Sequence, residues 1–523
     1  MSACPSSEMG NDGTFSSREG LAEAAGLRPW VRRTRAGGAA SRTLRLAAGA
    51  RGGEDRSVFR SGATMALCAA LLAALPAGCG GSSPKQVDTR EGQEPGKTLT
   101  VWILENQPER MRAARENLVA FTKRSGYEVE LVGISDDELS ERMADVARTG
   151  SGPDVMQLPM AAAHEHARTG VLSSEAAQEV VDRLGEETFS ARALSLVTAG
   201  GQVIAVPSDG WGQLLIYRKD LFDAAGLDAP RTLEDIRRAA RRLHRRGRAG
   251  ITLATTATPF TGESFEHVAL AAGCQLLDDR GRVALTSPAC ERAFEIYIEL
   301  ARRYSPGGRQ DVDSTRDTYF AGRAAMVFWS PFLLDAMAGL RDDAIPTCPE
   351  CKDDRAYLAK HSGLVGPLID PRGDSAQFGT ISTWGIAATG DIAGAERFVE
   401  YMLSDGYERW LAVSPQGKYP ARLGDRAGPE RFVEDWAGLL SGVERKAPLS
   451  RFYSARSIAS VGEGARSFRR WAFEQGRAPL IGAMAGPEPI PKALVAAIRG
   501  PASPAQAARQ AQTSVELLDA SVR

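Results

Sequence analysis

The side chains that could carry out chemistry are few and scattered. Five histidines occur in 523 residues, and two of them flank Glu165 as His164-Glu165-His166. Two residues apart on a helix, they point to nearly opposite sides, so a shared metal ion is not expected. The chain has no Gly-x-Ser-x-Gly nucleophile elbow and no His-Glu-x-x-His zinc helix. Asp136-Asp137-Glu138 suits a helix start, where carboxylates meet the positive end of the dipole, better than an acid–base pair. The run "GQEPGKT" (92–98) imitates a phosphate-binding loop, but three residues separate its glycines where four are needed, and a strand follows. Neither a metal nor a cofactor is expected. The enzyme reading that survives is a glycosidase with two carboxylates distant in sequence.

What recurs instead is an aromatic ring at the end of a strand, with polar side chains beside it. Trp102 stands near the end of "TLTVWIL" (98–104), ahead of Glu105-Asn106-Gln107. Gln157 belongs to the strand "DVMQL" (154–158). Asp209 and Trp211, the latter between Gly210 and Gly212, lie in the turn expected between the strands "QVIAVP" and "QLLIYR". Trp329 and Phe332 close the strand "AAMVFW", Trp384 begins "TWGIAA", and Tyr419 sits in the loop "QGKYPAR". In open α/β sheets, ligands bind beyond the carboxyl ends of strands. A pyranose offers an apolar C–H face to such rings, and its hydroxyls need carboxylates and amides. The expected ligand-binding set is therefore Trp211, Trp384, Phe332, Trp102, Trp329, Tyr419, Gln157, Glu105 and Asp209. Packing is the plain alternative for every ring, because Trp is highly buried on average.

The elements that must position these residues follow a regular grammar. "TLTVWIL" is apolar on both faces, as buried parallel strands are. Met111, Ala114, Leu118 and Phe121 then recur at helical spacing. A strand at 127–134, a helix at 139–148 and the strand at 154–158 complete a βαβαβ pattern, the signature of an α/β fold. Beyond residue 200, Thr232-Leu-Glu-Asp235 forms a capping box, and Ser287-Pro288 and Ser503-Pro504 each offer an N-cap with Pro in the first turn. Gly226 after "LFDAA" suits a helix C-cap.

Composition narrows the class. The formal net charge of −1 lacks the basic footprint that nucleic acid requires. The arginine run at 237–246 is read as a solvated helix face. Residues 66–79, "ALCAALLAALPAGC", lie in an apolar run too short for a bilayer span, which needs about 20 residues. Arg56 and Arg60 precede it and small residues follow, as in a signal peptide at 58–78. Residues 1–57 are a leader outside the fold, and 79–96 a flexible tether. Removal of residues 1–78 would take away 10 basic and 6 acidic side chains and leave a net charge of −5. Four cysteines then remain besides Cys79, an even number that suits disulfides in an exported chain. The expected pairs are Cys274–Cys290 and Cys348–Cys351.

Leu75-Pro-Ala-Gly-Cys79, followed by Gly-Gly-Ser-Ser, resembles the lipobox of bacterial lipoproteins, with Pro76 where Leu is usual. The resemblance implies that Cys79 carries lipid. Four further segments, "GSGPDVMQLPMAAAHEHARTGVLSS" (150–174), "VIAVPSDGWGQLLIYRKDLFDAAGLDAPRTLEDIRRAARRL" (203–243), "YFAGRAAMVFWSPF" (319–332) and "STWGIAATGDIAGAERFVEYMLSDGYERWLAVSPQGKYPAR" (382–422), stand in the same order as in a known group. Together they resemble the extracellular solute-binding lipoproteins of ABC sugar importers, the group that includes maltodextrin-binding protein. That implies a type II two-lobe α/β fold, each lobe a mixed sheet flanked by helices, with the ligand in the cleft. Lobe one would be 97–209 with 366–420, and lobe two 211–362 with 423–523. By the same resemblance Trp211 falls where a ligand carboxylate is often found, Phe332 where a stacking Trp is, and Trp384 at a ligand-facing aromatic. The implied protein is an exported, membrane-anchored monomer that binds a sugar or oligosaccharide and docks on ABC permeases. A polyamine or a polyol phosphate is the alternative solute. Acidic excess in the pocket would favour the first, and basic excess the second.

Overall fold

The computed structural model describes residues 97–522. The expected leader, signal peptide, lipid-bearing Cys79 and tether lie outside the described residues. Nine strands build the two principal sheets. They are β1 Thr98–Ile103, β2 Glu128–Gly133, β3 Val155–Pro159, β4 Val206–Gly212 and β5 Leu214–Arg218. β6 Met326–Trp329, β7 Ser362–Val365, β8 Gly379–Ile386 and β9 Tyr419–Pro420 follow.

The larger sheet has six strands in the order β9-β4-β8-β3-β1-β2, and the smaller has three in the order β6-β5-β7. β1 pairs in parallel with β2 and β3, whereas β8 runs antiparallel to β3 and β4. The three strands of the smaller sheet pair antiparallel, and a bridge from Thr252 to Val327 adds parallel pairing on β6. Helices flank both sheets, and each sheet has a separate buried core. Val101, Phe121, Val155, Phe398 and Trp410 pack on the larger, and Leu215, Phe265, Phe294 and Trp471 on the smaller. The architecture is α/β, with parallel and antiparallel pairing at both sheets.

Local chemistry explains the element boundaries. Helix α1, Pro108–Ser125, buries Met111, Ala114, Leu118 and Phe121 on one face and ends at Gly126, whose φ of 74° suits glycine. Thr232 caps the helix Leu233–Leu243, with its hydroxyl accepting from the Asp235 amide at 3.2 Å. Such a cap is worth about 1 kcal/mol. Cys274 is bonded to Cys290 and Cys348 to Cys351. Among the described residues, no helix is long and apolar enough to cross a membrane.

Two expected boundaries are corrected. Only Gln213 separates β4 from β5, so one extended run passes from the larger sheet into the smaller. Trp211 therefore lies inside β4 and not in a turn. Gly212 serves close approach: a Cβ there would come 2.7 Å from Gln377 Nε2 and 2.9 Å from the Gly464 backbone. β8 begins at Gly379 rather than at Thr383, which puts Trp384 within the strand, opposite Gln157 of β3.

Candidate functional site

Beyond β1 the chain turns through Leu104–Gln107 into α1, with Pro108 in the first helical turn. This turn carries two ionisable side chains inward: Glu105 is 5% exposed and Arg110 8%. Arg110 Nη1 donates to Glu105 Oε2 at 3.2 Å. Gln157 of β3 steadies the turn, because its Oε1 accepts the Leu104 amide at 2.9 Å.

β4 adds Asp209, which is 1% exposed. Its Oδ2 accepts from Ser208 Oγ at 2.7 Å and from Trp410 Nε1 at 3.1 Å. Lys418, one residue ahead of β9, joins the two carboxylates. Its Nζ lies 3.1 Å from Glu105 Oε1 and 3.9 Å from Asp209 Oδ1. The same ammonium sits 4.2 Å from the centre of the Trp410 ring, a cation–π contact strengthened by desolvation.

The smaller sheet contributes from the other side. After β6 the chain forms the short helix Leu334–Met337, which carries Asp335, 1% exposed. Asp335 Oδ2 stands 3.6 Å from Arg110 Nη2, and its Oδ1 stands 3.9 Å from Arg341 Nη1. A chain of charges thus runs Asp209–Lys418–Glu105–Arg110–Asp335–Arg341 and joins elements of both lobes. Its terminal cation, Arg341, is partly exposed and also donates to Asp343 through Nε at 2.9 Å. The Phe332 ring covers Gly417 beside it, where a Cβ would lie 2.2 Å from the ring carbons. Gln107 Nε2 also reaches Asp343 Oδ2 at 3.4 Å.

Burial acts on all three acids, with different outcomes. Burial alone would raise the Glu105 carboxyl, but Lys418 and Arg110 overcome it and hold the group below its ordinary range. Asp209 is pushed up, because burial outweighs Lys418 and the hydrogen bonds from Ser208 and Trp410. Asp335 is likewise raised by burial, against Arg341 and Arg110.

Of the residues expected at a site, Glu105, Asp209 and Gln157 meet here, and Phe332 lies alongside at Gly417. The other rings sit elsewhere. Trp384 is fully buried, 5.1 Å from Trp410 and 5.8 Å from Phe398, so it supports the site from behind through Trp410. Trp329 packs its edge on Phe260 at 4.8 Å, and Tyr419 packs on Trp436 at 4.9 Å. Trp211 is half-buried, 5.8 Å from Phe378. Trp102 is half-buried beneath the Arg142 guanidinium, at 5.8 Å.

Arg110, Lys418, Asp335, Arg341 and Trp410 were not foreseen. Arg110 follows Pro108-Glu109 and reads as an exposed first-turn charge. Asp335 did leave a signal, as a lone carboxylate in the apolar run "FLLDAMAGL". Lys418 lies within "QGKYPAR", where only the tyrosine drew notice.

Similarity to known proteins establishes the family and the fold. The protein YcjN of Escherichia coli (strain K12), named for an ABC transporter periplasmic-binding role, is 25% identical over 327 residues, 60% of this chain and 70% of that protein. An ABC transporter solute-binding protein from Thermotoga lettingae TMO, bound with alpha-D-tagatose, superposes with a TM-score of 0.62 at 20% identity. It covers 81% of this chain and 100% of its own. Maltose-bound MalE3 of T. maritima gives 0.62 at 19% identity with the same coverage. Residues 105–409 match the bacterial extracellular solute-binding protein family along more than half of the chain, and the chain belongs to that family.

Proposed function

We propose that the chain captures a neutral polyhydroxylated solute, a sugar or polyol, between its lobes and presents it to the permease subunits of an ABC importer. The observation that carries this reading is that each buried carboxylate between the lobes already has a cation of the chain within 4 Å. A polyamine would leave excess positive charge in that seam, and a polyol phosphate excess negative charge. An uncompensated charge buried there costs several kcal/mol. A sugar adds none, and its hydroxyls both donate and accept hydrogen bonds. The tagatose and maltose held by structures of the same fold support the same class.

Binding proceeds without turnover in this reading. A glycosidase needs one protonated and one ionised carboxyl free to flank a scissile bond. Glu105 and Asp209 are instead both engaged by Lys418. Lobe one is taken as 97–209 with 366–420 and lobe two as 211–362 with 423–523, with hinges near 208–212, 363–367 and 420–424. The exported monomer is held at the membrane by lipid on Cys79.

A thermal-shift screen with D-tagatose, maltose, D-mannitol, spermidine and glycerol 3-phosphate tests the reading, with calorimetry and product analysis on each positive. Saturable stabilisation by a neutral member, with the ligand recovered intact, is expected. Stabilisation by spermidine or the phosphate alone would overturn the solute class, and cleavage of maltose would favour the enzyme.

A further inference from the structure

Charge is unevenly spread along the helix Leu233–Leu243 and the turn after it. From Ile236 to Gly262 the chain contains seven arginines and no aspartate or glutamate. The first two are neutralised from outside that run: Arg237 pairs with Glu234 and Glu299, and Arg238 with Asp235. Arg241 and Arg242 have no acid three or four residues away, the spacing at which side chains of a helix meet. Arg241, Arg242, Arg245 and Arg246 are exposed. Among the described residues, none of the four has a side-chain hydrogen bond or an ion pair.

Tertiary structure enlarges the patch. The Arg245 amide donates to the Arg248 carbonyl at 3.0 Å and the Arg248 amide to the Arg245 carbonyl at 2.9 Å, which closes a tight turn. The Ala249 amide then donates to the Arg323 carbonyl at 2.8 Å and brings the exposed Arg323 alongside. His244 meets the Tyr304 ring at 5.8 Å. That contact adds Arg303, exposed at the end of the helix Pro288–Arg303. Arg303 and Arg323 likewise have no carboxylate partner among the described residues. Burial, and then the neighbouring Arg245 and Arg218 cations, lower the half-buried Arg248 guanidinium below its ordinary value, as crowding of like charges does. A helix C-terminus favours cations only within its last turn. That accounts for Arg241, Arg242 and Arg303, but not for Arg245, Arg246 and Arg323.

Guanidinium groups spread over three segments suit an extended anionic surface, and each can meet a phosphate with two hydrogen bonds. The chain belongs to an extracellular family, and outside the cytoplasm the broad anionic surface within reach is the phospholipid membrane rather than nucleic acid. We propose that this end of lobe two docks on anionic phospholipid headgroups through Arg241, Arg242, Arg245, Arg246, Arg303 and Arg323. Each cation near such a surface adds to the attraction, which fades within a Debye length and weakens with salt. Docking by one end fixes which face of the molecule meets the membrane. The inference is independent of the solute class and of lipid on Cys79.

Vesicle flotation tests this, with the mature chain carrying Cys79→Ala so that no acyl chain contributes. Vesicles of phosphatidylcholine and phosphatidylglycerol in equal parts are compared with phosphatidylcholine alone. The protein is expected to float with the mixed vesicles at low ionic strength, to leave them at high salt, and to ignore phosphatidylcholine alone. Arg242→Gln, Arg245→Gln and Arg246→Gln combined should lower partitioning about a hundredfold. The same three positions changed to Lys keep the charge and should stay within about threefold. Arg280, Arg282 and Arg372 lie by the opposite end of the helix Pro288–Arg303, where Cys274 bonds Cys290 and Pro371 approaches Gly273. That helix spans about 24 Å. Arg280→Gln, Arg282→Gln and Arg372→Gln combined remove the same net charge there and should also stay within about threefold. All these side chains are exposed, so the comparison reads charge rather than folding. Absence of binding to the mixed vesicles at low salt, or equal binding to phosphatidylcholine alone, would overturn the inference. So would an equal loss in the distant triple or in the Lys triple. Tighter binding to a duplex DNA oligonucleotide than to the mixed vesicles would assign the patch to another polyanion and overturn it as well.

Discussion

Lys418 Nζ stands 3.1 Å from Glu105 Oε1 while resting 4.2 Å from the centre of the Trp410 ring. One ammonium thus neutralises one carboxylate closely and a second, Asp209, at 3.9 Å. Three segments far apart in sequence meet on it. Lys418→Met should leave Glu105 and Asp209 buried with less compensation. Breaking a buried pair typically costs about 3–5 kcal/mol. Urea unfolding at neutral pH should show that loss, and a variant within about 1 kcal/mol of wild type would show the pair to be energetically idle.

The acids of the seam should respond to pH in opposite senses. Glu105 is held below its ordinary value, so its contribution is present above the unfolded pKa and lost as pH falls through the folded one. Asp209 is raised by burial, so its contribution is present below the unfolded pKa and lost as pH rises through the folded one. Relative to wild type, Glu105→Gln should therefore become less stable as pH rises through the acidic range. Asp209→Asn should become more stable over the same rise. Unfolding curves collected from acid to neutral pH check both signs, and parallel curves would refute the assignment.

Trp384 and Trp211 should part company under mutation. Trp384 is fully buried against Trp410 and Phe398, so Trp384→Ala should cost about 3–5 kcal/mol of stability, as large core truncations do. Trp211 is half-buried, and if it contacts the solute, Trp211→Ala should weaken sugar affinity by about tenfold with a smaller loss of stability. Chemical unfolding and calorimetry on both variants separate the roles. Equal stability losses with unchanged affinity would return Trp211 to packing.

The two disulfides should differ in worth. Cys274–Cys290 spans 16 residues and Cys348–Cys351 spans 3. Loop entropy assigns about 3 kcal/mol to a loop of the first size and about 2 kcal/mol to the second. Paired Cys→Ser variants, compared by chemical unfolding, should rank in that order. The reverse ranking would indicate that native packing, not the unfolded chain, dominates.

Membrane attachment should depend on one sulfur. Cys79→Ala is expected to move the protein from the membrane fraction to the soluble exported fraction, or to stall its processing. Fractionation with N-terminal sequencing checks this, and a variant that stays anchored with an unchanged mature start would refute lipidation at Cys79.

Much of the fold was written locally in the sequence. The α1 face of Met111, Ala114, Leu118 and Phe121 follows from a 3.6-residue period. The Thr232–Asp235 cap and the Gly226 stop depend on atoms a few residues apart, and βαβ alternation carries the fold class. Glu105, Gln157 and Asp209 were singled out as polar residues on or just beyond strands, and the structure gathers them into one buried cluster. The remainder was decided by tertiary structure. Gly210 and Gly212 look like turn residues, yet they flank Trp211 inside a strand because the Gln377 side chain and the Gly464 backbone crowd against Gly212. Trp384 reads as a strand-end ring, but the register of β8 turns it into the core. Arg110 and Lys418 each look like an ordinary surface charge in their own segment, and Asp335 stands alone in an apolar run. Only the meeting of segments some 80 to 310 residues apart removes them from water together, and compensation between charges is a property of that assembly rather than of any local sequence.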